Sequence, residues 1–230
     1  MHSHSTIDPG TIVPWATLWI RGRDALSFTQ GQVAADVSQA EGWGALLTPA
    51  SEVVADFTFR TEENELALTL RAELAEAVVK QLRRFALRVQ CTFELEGNAA
   101  GPYRTVGEQC DLGLDGPSEF ALSLTPQSFG GTFVKRSISF TKGCFTGQEL
   151  VGRLDARGSS VPFRLVHFTG PSSEAVDEFL LSLGPVGDKI PTGVTTCVGD
   201  SSGVRGLGFG HRSLLTDGEA MRDGIAIREV

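Results

Sequence analysis

The sequence is poor in the residues that would place it in several specialised classes. Its 230 residues include four cysteines, four histidines, one tyrosine and two methionines. The cysteines stand far apart without a C-x-x-C pair, which excludes a zinc ribbon and a dense disulfide framework. The histidines have no other ligands at metal-binding spacing, so we predict no metal site. The four cysteines are Cys91, Cys110, Cys144 and Cys197.

Long apolar runs and an excess of positive charge are also missing. No stretch approaches the ~18 apolar residues of a membrane span, and the N-terminus lacks the basic start and apolar run of a secretory leader. The formal net charge of −8 disfavours non-specific binding to nucleic acid or to an anionic membrane. We therefore expect a cytoplasmic monomer with no direct nucleic-acid or membrane partner.

Periodic patterns in the first half predict an α+β fold. Glu52–Arg60 alternates apolar and polar residues, and a second alternating run at 66–70 follows a polar link, which is typical of a β-hairpin. Apolar residues at three- and four-residue steps predict a helix over Leu74–Phe85, and Val89–Leu95 alternates again. This order favours a helix packed on a mainly antiparallel sheet.

The C-terminal part has a different pattern. From about residue 160, short apolar strands are separated by glycine turns, with one helix predicted at Ser173–Leu183. Short strands with frequent turns are typical of a small barrel or sandwich. We therefore predict a boundary near 157, giving two domains at 1–157 and 158–230.

The segment between the two parts carries the chemistry. Ser137–Phe140 is predicted to be a strand, Gly143 and Gly147 bracket a tight turn, and Gln148–Leu154 begins a helix. Cys144 then lies just before a helix N-terminus, where unpaired N–H groups stabilise an anion or a thiolate. These residues alone leave two readings open, a reactive thiol and a small packed cysteine in an ordinary turn.

The sequence K-G-C-F-T-G-Q-E-L-V-G-R at Lys142–Arg153 resembles the K-G-C-Y-x-G-Q-E-x-x-x-R signature of the YgfZ family. Members of that family are relatives of the glycine-cleavage aminomethyltransferase, the T-protein. The resemblance covers most of residues 15–215. Further segments similar to family patterns are Ser27–Gln32 with Asp36-Val37, and Leu47–Pro49 with Asp56-Phe57.

The resemblance implies a ring-like fold of two α+β lobes, the second at about 46–112, followed by a small C-terminal β-barrel. Domain 1–157 would bind tetrahydrofolate or a derivative in a central cavity, and 158–230 would form the barrel. The resemblance also implies that the protein sustains iron–sulfur enzymes or their assembly factors, such as a tRNA methylthiolation enzyme, with no turnover of its own.

Carried onto this sequence, the resemblance makes Cys144 the functional thiol. Arg153 would pair a carboxylate of the folate tail, since a guanidinium binds carboxylate bidentately; a salt bridge to Glu149 or Asp155 is an equal alternative. The loop around the thiol is formed by Lys142, Gly143, Phe145, Thr146 and Gly147. The implied folate-binding residues are Asp36, Asp56, Gln148, Glu149 and Arg153.

Departures from the family pattern keep other functions open. Phe145 replaces the commoner tyrosine, Pro49–Glu52 lacks the usual glycine and basic residue, and the segment 97–132 is short. One alternative is a tetrahydrofolate-dependent aminomethyltransferase with Asp56 as its acid. The other is a non-catalytic interaction module that keeps the fold and has lost the folate pocket.

Overall fold

The computed structural model describes residues 6–63, 65–158, 160–182 and 192–230, which contain two antiparallel five-stranded sheets. The strands of the first sheet are ordered β2-β3-β4-β1-β5. Its elements are β1 (Trp15–Arg21), α1 (Ala25–Gln32), β2 (Glu41–Leu47), β3 (Val53–Glu62), β4 (Glu65–Arg71), α2 (Ala72–Phe85) and β5 (Thr92–Gly97).

Short helices fill the middle of the chain, and the second sheet follows them in the order β7-β8-β6-β10-β9. The helices are α3 (Val106–Leu112), α4 (Pro117–Phe120), a 3-10 turn (Pro126–Phe129), α5 (Gly131–Ser137) and α6 (Gln148–Ala156). The C-terminal elements are β6 (Phe163–Gly170), α7 (Ser173–Leu181), β7 (Gly193–Asp200), β8 (Gly203–His211), a 3-10 turn (Arg212–Leu214), β9 (Glu219–Arg222) and β10 (Ile225–Glu229).

The first sheet buries one face and leaves the other partly open. The buried face packs on α1 and α2 around Leu18, Phe57 and Leu68. Successive residues of a strand point to opposite faces, so their neighbours form the second face. That face carries the half-buried side chains Thr17, Trp19, Trp43, Thr58 and Thr69.

Most of the elements predicted for the first half are confirmed. β3 and β4 form the predicted antiparallel hairpin, and the predicted helix over 74–85 is α2. The strand predicted at Ser137–Phe140 is wrong, because α5 runs to Ser137 and no strand follows it there. Phe133, Val134 and Ser137 share one buried side of that helix, but seven residues are too few for helical periodicity to be evident in the sequence.

The C-terminal strands form an antiparallel sheet, but no closure into a barrel is seen in the described residues. β7 and β9 are the two edges of the sheet. The outer edge of β7 is met by Ile7, whose N–H donates to the Cys197 carbonyl at 2.8 Å. The helix predicted at Ser173–Leu183 is observed to Leu181, and its predicted end at 183 lies outside the described residues.

One apolar cluster joins the two sheets through the middle helices. Phe129 and Phe133 are fully buried with ring centroids 5.2 Å apart, and Phe129 meets Phe209 of β8 edge-to-face at 5.6 Å. Leu165 and Leu207 of the second sheet belong to the same cluster. None of the described helices is long and apolar enough to cross a membrane.

Candidate functional site

The motif loop is fixed against the turn that follows β2. Gly147 has φ +81°, and a Cβ atom there would lie 2.6 Å from the Thr48 carbonyl oxygen, so only glycine fits. The Ser51 hydroxyl donates to the Gly147 carbonyl at 2.6 Å. These contacts hold the start of α6 beside the 48–51 turn.

Lys142 ties the same loop to the end of α1. Its ammonium donates to the carbonyl oxygens of Gln30, Val33 and Ala35 at 2.5, 2.7 and 2.7 Å. Burial lowers the pKa of Lys142 to about 8, and the charge of Asp36 opposes that shift. The half-buried lysine is thus a structural donor, which its place in the motif did not reveal.

The side chains of Cys144 and Phe145 differ in their exposure to solvent. Phe145 is buried in the shared apolar cluster with Val151 of α6, whereas Cys144 is exposed to solvent. The reading of Cys144 as a small packed cysteine is therefore wrong. Among the described residues, no group of three or more His, Cys, Asp or Glu is placed to hold a metal ion.

The other motif residues line a depression beside the loop, which we call the motif-loop depression. Its volume is about 910 Å³. Arg153 forms an i,i+4 ion pair with Glu149, the alternative that the sequence left open, and both side chains are largely exposed. The lining residues are Pro49, Phe85, Phe145, Thr146, Gly147, Gln148, Glu149, Gly152, Arg153 and Ala156.

Asp36 lies in the turn after α1 and is used locally. Its carboxylate accepts from the Ser38 hydroxyl at 2.6 Å, the Ser38 N–H at 3.1 Å and the Gln30 amide at 2.9 Å. These hydrogen bonds, that of the Ser38 hydroxyl foremost, lower the pKa of Asp36. Asp36 and Lys142 therefore both stabilise the turn that follows α1.

Asp56 lies on the second face of the first sheet, in keeping with the apolar and polar alternation of Glu52–Arg60, yet it is buried. Arg136 of α5 covers it, with its Nη2 atom 3.0 Å from Asp56 Oδ2 and 2.9 Å from Asp115 Oδ2. Burial raises the pKa of Asp56, and raises that of Asp115 further, while the Arg136 charge opposes both shifts. Two buried carboxylates thus share one guanidinium nitrogen.

A third buried acid lies close by. Glu119 accepts from the hydroxyls of Thr195 and Thr196 at 2.5 and 2.6 Å and from the Gly116 N–H at 2.8 Å. Burial raises its pKa, and the two threonine hydroxyls oppose that shift. Sequence reasoning missed Asp115, Glu119 and Arg136, because the short helices around them show no clear periodicity. The one available signal was a charge at Arg136 two positions from the apolar residues Val134 and Ile138.

A groove runs along the second face of the first sheet towards this acidic cluster; we call it the sheet groove. The pairs Trp43–Thr58 and Ala45–Asp56 succeed each other in the β2–β3 register, which places Asp56 just beyond the inner end. Arg60 lies at the exposed outer end, paired with Glu62 at 3.0 Å. The groove holds about 490 Å³ and is lined by Thr17, Trp19, Glu41, Gly42, Trp43, Thr58, Phe59, Arg60, Ala67 and Thr69.

The structure therefore divides the predicted site residues between two places. Gln148, Glu149 and Arg153 belong to the motif-loop depression, whereas Asp56 lies beyond the inner end of the sheet groove. The two cavities share no lining residue in the described part of the chain. Asp36 lies in neither cavity lining and serves the turn that holds Lys142.

The fold is that of the glycine-cleavage T-protein. Aminomethyltransferase T of the glycine cleavage system from Bartonella henselae has a similar structure, with a TM-score of 0.55 over 95% of this chain and 85% of that one, at 12% identity. An uncharacterized protein of Haemophilus influenzae is 21% identical over 197 residues, which span 65% of this chain and 69% of that protein. A comparison with protein-family models finds no match.

Proposed function

We propose that the protein binds tetrahydrofolate or a derivative in the sheet groove and supports iron–sulfur enzymes or their assembly factors through Cys144. A reduced folate has N–H donors on its pterin head and carboxylates on its glutamate tail. The acids around Asp56 lie just beyond the inner end of the sheet groove, and Arg60 lies at its mouth beside Glu41 and Glu62, so an acid is placed for the pterin head and a guanidinium for the tail. This arrangement is the observation that carries the proposal.

The dimensions and lining of the groove support the same ligand. Asp56 and Arg60 are four residues apart on one strand, roughly 13 Å at the usual rise, which is comparable to the length of a folate. Trp19 and Trp43 offer half-buried rings for stacking. A volume of about 490 Å³ falls in the range of small-molecule sites.

Cys144 would act on a macromolecule and not on the bound folate. The thiol is exposed on the motif loop, and the motif-loop depression beside it has no lining residue in common with the sheet groove. The assignment of iron–sulfur clients rests on the resemblance of Lys142–Arg153 to the family signature. A cytoplasmic monomer without direct nucleic-acid contacts belongs to the same proposal.

An aminomethyltransferase is the second candidate, favoured by the carboxylate of Asp56 just beyond the inner end of the groove. Arg136 holds that carboxylate, so we rank transfer behind binding. Formation of methylenetetrahydrofolate from an aminomethylated carrier protein would establish transfer. If folate binds but no methylenetetrahydrofolate forms, only the binding role remains.

Calorimetric titration with 5-formyltetrahydrofolate tests the folate site. We expect saturable one-to-one binding that Trp43→Leu weakens about tenfold through lost stacking, while Arg153→Ala leaves it unchanged. Loss of binding in Arg153→Ala alone would move the folate to the motif-loop depression. No heat and no shift in melting temperature at high ligand would favour the interaction module.

Replacing the thiol tests the second half of the proposal. Cys144→Ser should abolish support of a tRNA methylthiolation enzyme in cells while the purified variant binds folate as the wild type does. The half-buried Cys91 provides a matched control, since Cys91→Ser should leave that support intact. Full activity in the Cys144→Ser strain would eliminate the thiol role.

A further inference from the structure

Arg136 lies just beyond the inner end of the sheet groove. Its guanidinium carbon lies 4.7 Å from the ring centroid of Trp43, which lines the groove, and 5.2 Å from that of Phe133. The same guanidinium contacts Asp56 and Asp115 through Nη2. Arg136 therefore stands between the open groove and the carboxylate of Asp56.

The guanidinium is not fully satisfied in this position. Its Nε atom is buried and has no hydrogen-bond partner among the described residues. A buried N–H without an acceptor costs free energy. The two ion pairs through Nη2 and the contact with Trp43 hold Arg136 in place despite that cost.

A guanidinium and the pyrimidine edge of a pterin present similar donors. Each is a planar N–C–N unit whose N–H groups pair with a carboxylate. The Arg136 guanidinium lies over the Trp43 ring, where a pterin ring would also find an aromatic partner. The side chain thus imitates the head group that the proposed ligand would bring to Asp56.

We infer that Arg136 is an internal competitor for folate, which occupies on Asp56 the place of the pterin N–H donors and must leave before the pterin can bind there. This inference rests on the proposed folate site. It assigns to Arg136 the role of setting the affinity of that site. Occupation by Arg136 also keeps Asp56 paired while the groove is empty.

Removing the competitor must not leave two unpaired acids in the interior. Arg136→Gln alone would do so, since Asp56 and Asp115 are both buried. The double variant Arg136→Gln/Asp115→Asn removes one acid together with the arginine. Of the charged groups that act on Asp56, Arg71 is unchanged in the variant.

The test is calorimetric titration of wild type and double variant with 5-formyltetrahydrofolate, with circular dichroism to verify folding. We expect the double variant to bind about tenfold tighter, since the ligand no longer displaces a charged hydrogen bond. A purely structural role for Arg136 predicts the opposite, weaker binding by a loosened groove. Lys135→Gln removes an exposed charge next to Arg136 and should leave the affinity unchanged.

Arg136→Lys serves if the double variant does not fold. Lysine keeps the charge and lacks the planar donor pair, so we expect binding about threefold tighter than in the wild type. If a folded variant binds folate no more tightly than the wild type does, Arg136 is not a competitor for folate, and the proposed folate site is unaffected. If neither the wild type nor any variant binds folate, both the competitor role of Arg136 and the proposed folate site are contradicted.

Discussion

At the scale of single residues, the charged side chains selected by the family resemblance prove to have partners within the protein. Lys142 donates to three carbonyls, Asp36 closes a turn, and Arg153 pairs with Glu149. The sequence indicated that these positions matter and could not show these partners. The three carbonyls come from a segment more than a hundred positions away, and only the fold brings it to Lys142.

Lys142→Met should destabilise the protein by about 2–3 kcal/mol, because three carbonyl oxygens lose a charged donor. Urea unfolding followed by circular dichroism measures the loss. Lys135→Met is the matched control, since Lys135 is exposed. Equal stability of the two variants would show that the hydrogen bonds from Lys142 to the three carbonyl oxygens contribute little to stability.

Asp115→Asn should make the protein more stable relative to wild type as pH rises. The pKa of Asp115 is raised in the folded state, so folding takes up a proton between pH 3.8 and the folded pKa. Wild-type stability from this group is full below pH 3.8 and falls as pH rises through the folded pKa, by up to about 1.4 kcal/mol per pH unit. Asparagine does not titrate, so the variant does not lose this contribution to stability as pH rises.

Melting temperatures of wild type and Asp115→Asn between pH 4 and pH 8 provide the measurement. The difference between them should grow from pH 4 up to the folded pKa of Asp115 and stay constant above it. A constant difference would mean that Asp115 has no raised pKa in the folded protein.

At the scale of elements, long periodic segments were predictable and short ones were not. The β3–β4 hairpin and α2 follow from alternation and three- and four-residue spacing over many residues. The helices α3 to α5 have seven residues or fewer, too few for periodicity to appear. They carry Asp115, Glu119 and Arg136 or flank them, so the acidic half of the candidate site was missed.

Gly147→Ala, at the N-terminal boundary of α6, and Gly152→Ala, inside that helix, form a matched pair of variants. Gly147 has φ +81° and no room for a Cβ, so the alanine should cost at least about 1–2 kcal/mol. Gly152 is helical with open space around it, so alanine there should stabilise by up to about 1 kcal/mol. Urea midpoints that move in the same direction for both variants would contradict the described loop geometry.

At the scale of the whole molecule, we keep the division into 1–157 and 158–230 as a proposal about architecture. The shared apolar cluster around Phe129 and Phe209 joins the two parts. We therefore expect the two domains to unfold together. The sequence suggested the boundary through its change of pattern and gave no sign of this cluster.

Phe209→Ala tests that coupling, since it should cost about 3–5 kcal/mol by leaving a cavity. All three tryptophans lie in the first sheet, so their fluorescence reports that part alone. Fluorescence and circular dichroism should shift to the same lower urea midpoint. A fluorescence midpoint that stays at the wild-type value would show that the two parts unfold independently.

The central claim, that a reduced folate lies in the sheet groove, is tested most directly by the indole N–H signals of the three tryptophans in a ¹H–¹⁵N NMR spectrum. Trp19 and Trp43 line the groove, whereas Trp15 is buried and donates to the Tyr103 carbonyl at 2.8 Å, so it serves as an internal reference. Addition of 5-formyltetrahydrofolate should shift the Trp19 and Trp43 signals and leave that of Trp15 in place. Saturable binding that moves none of the three would place the folate elsewhere and contradict the account.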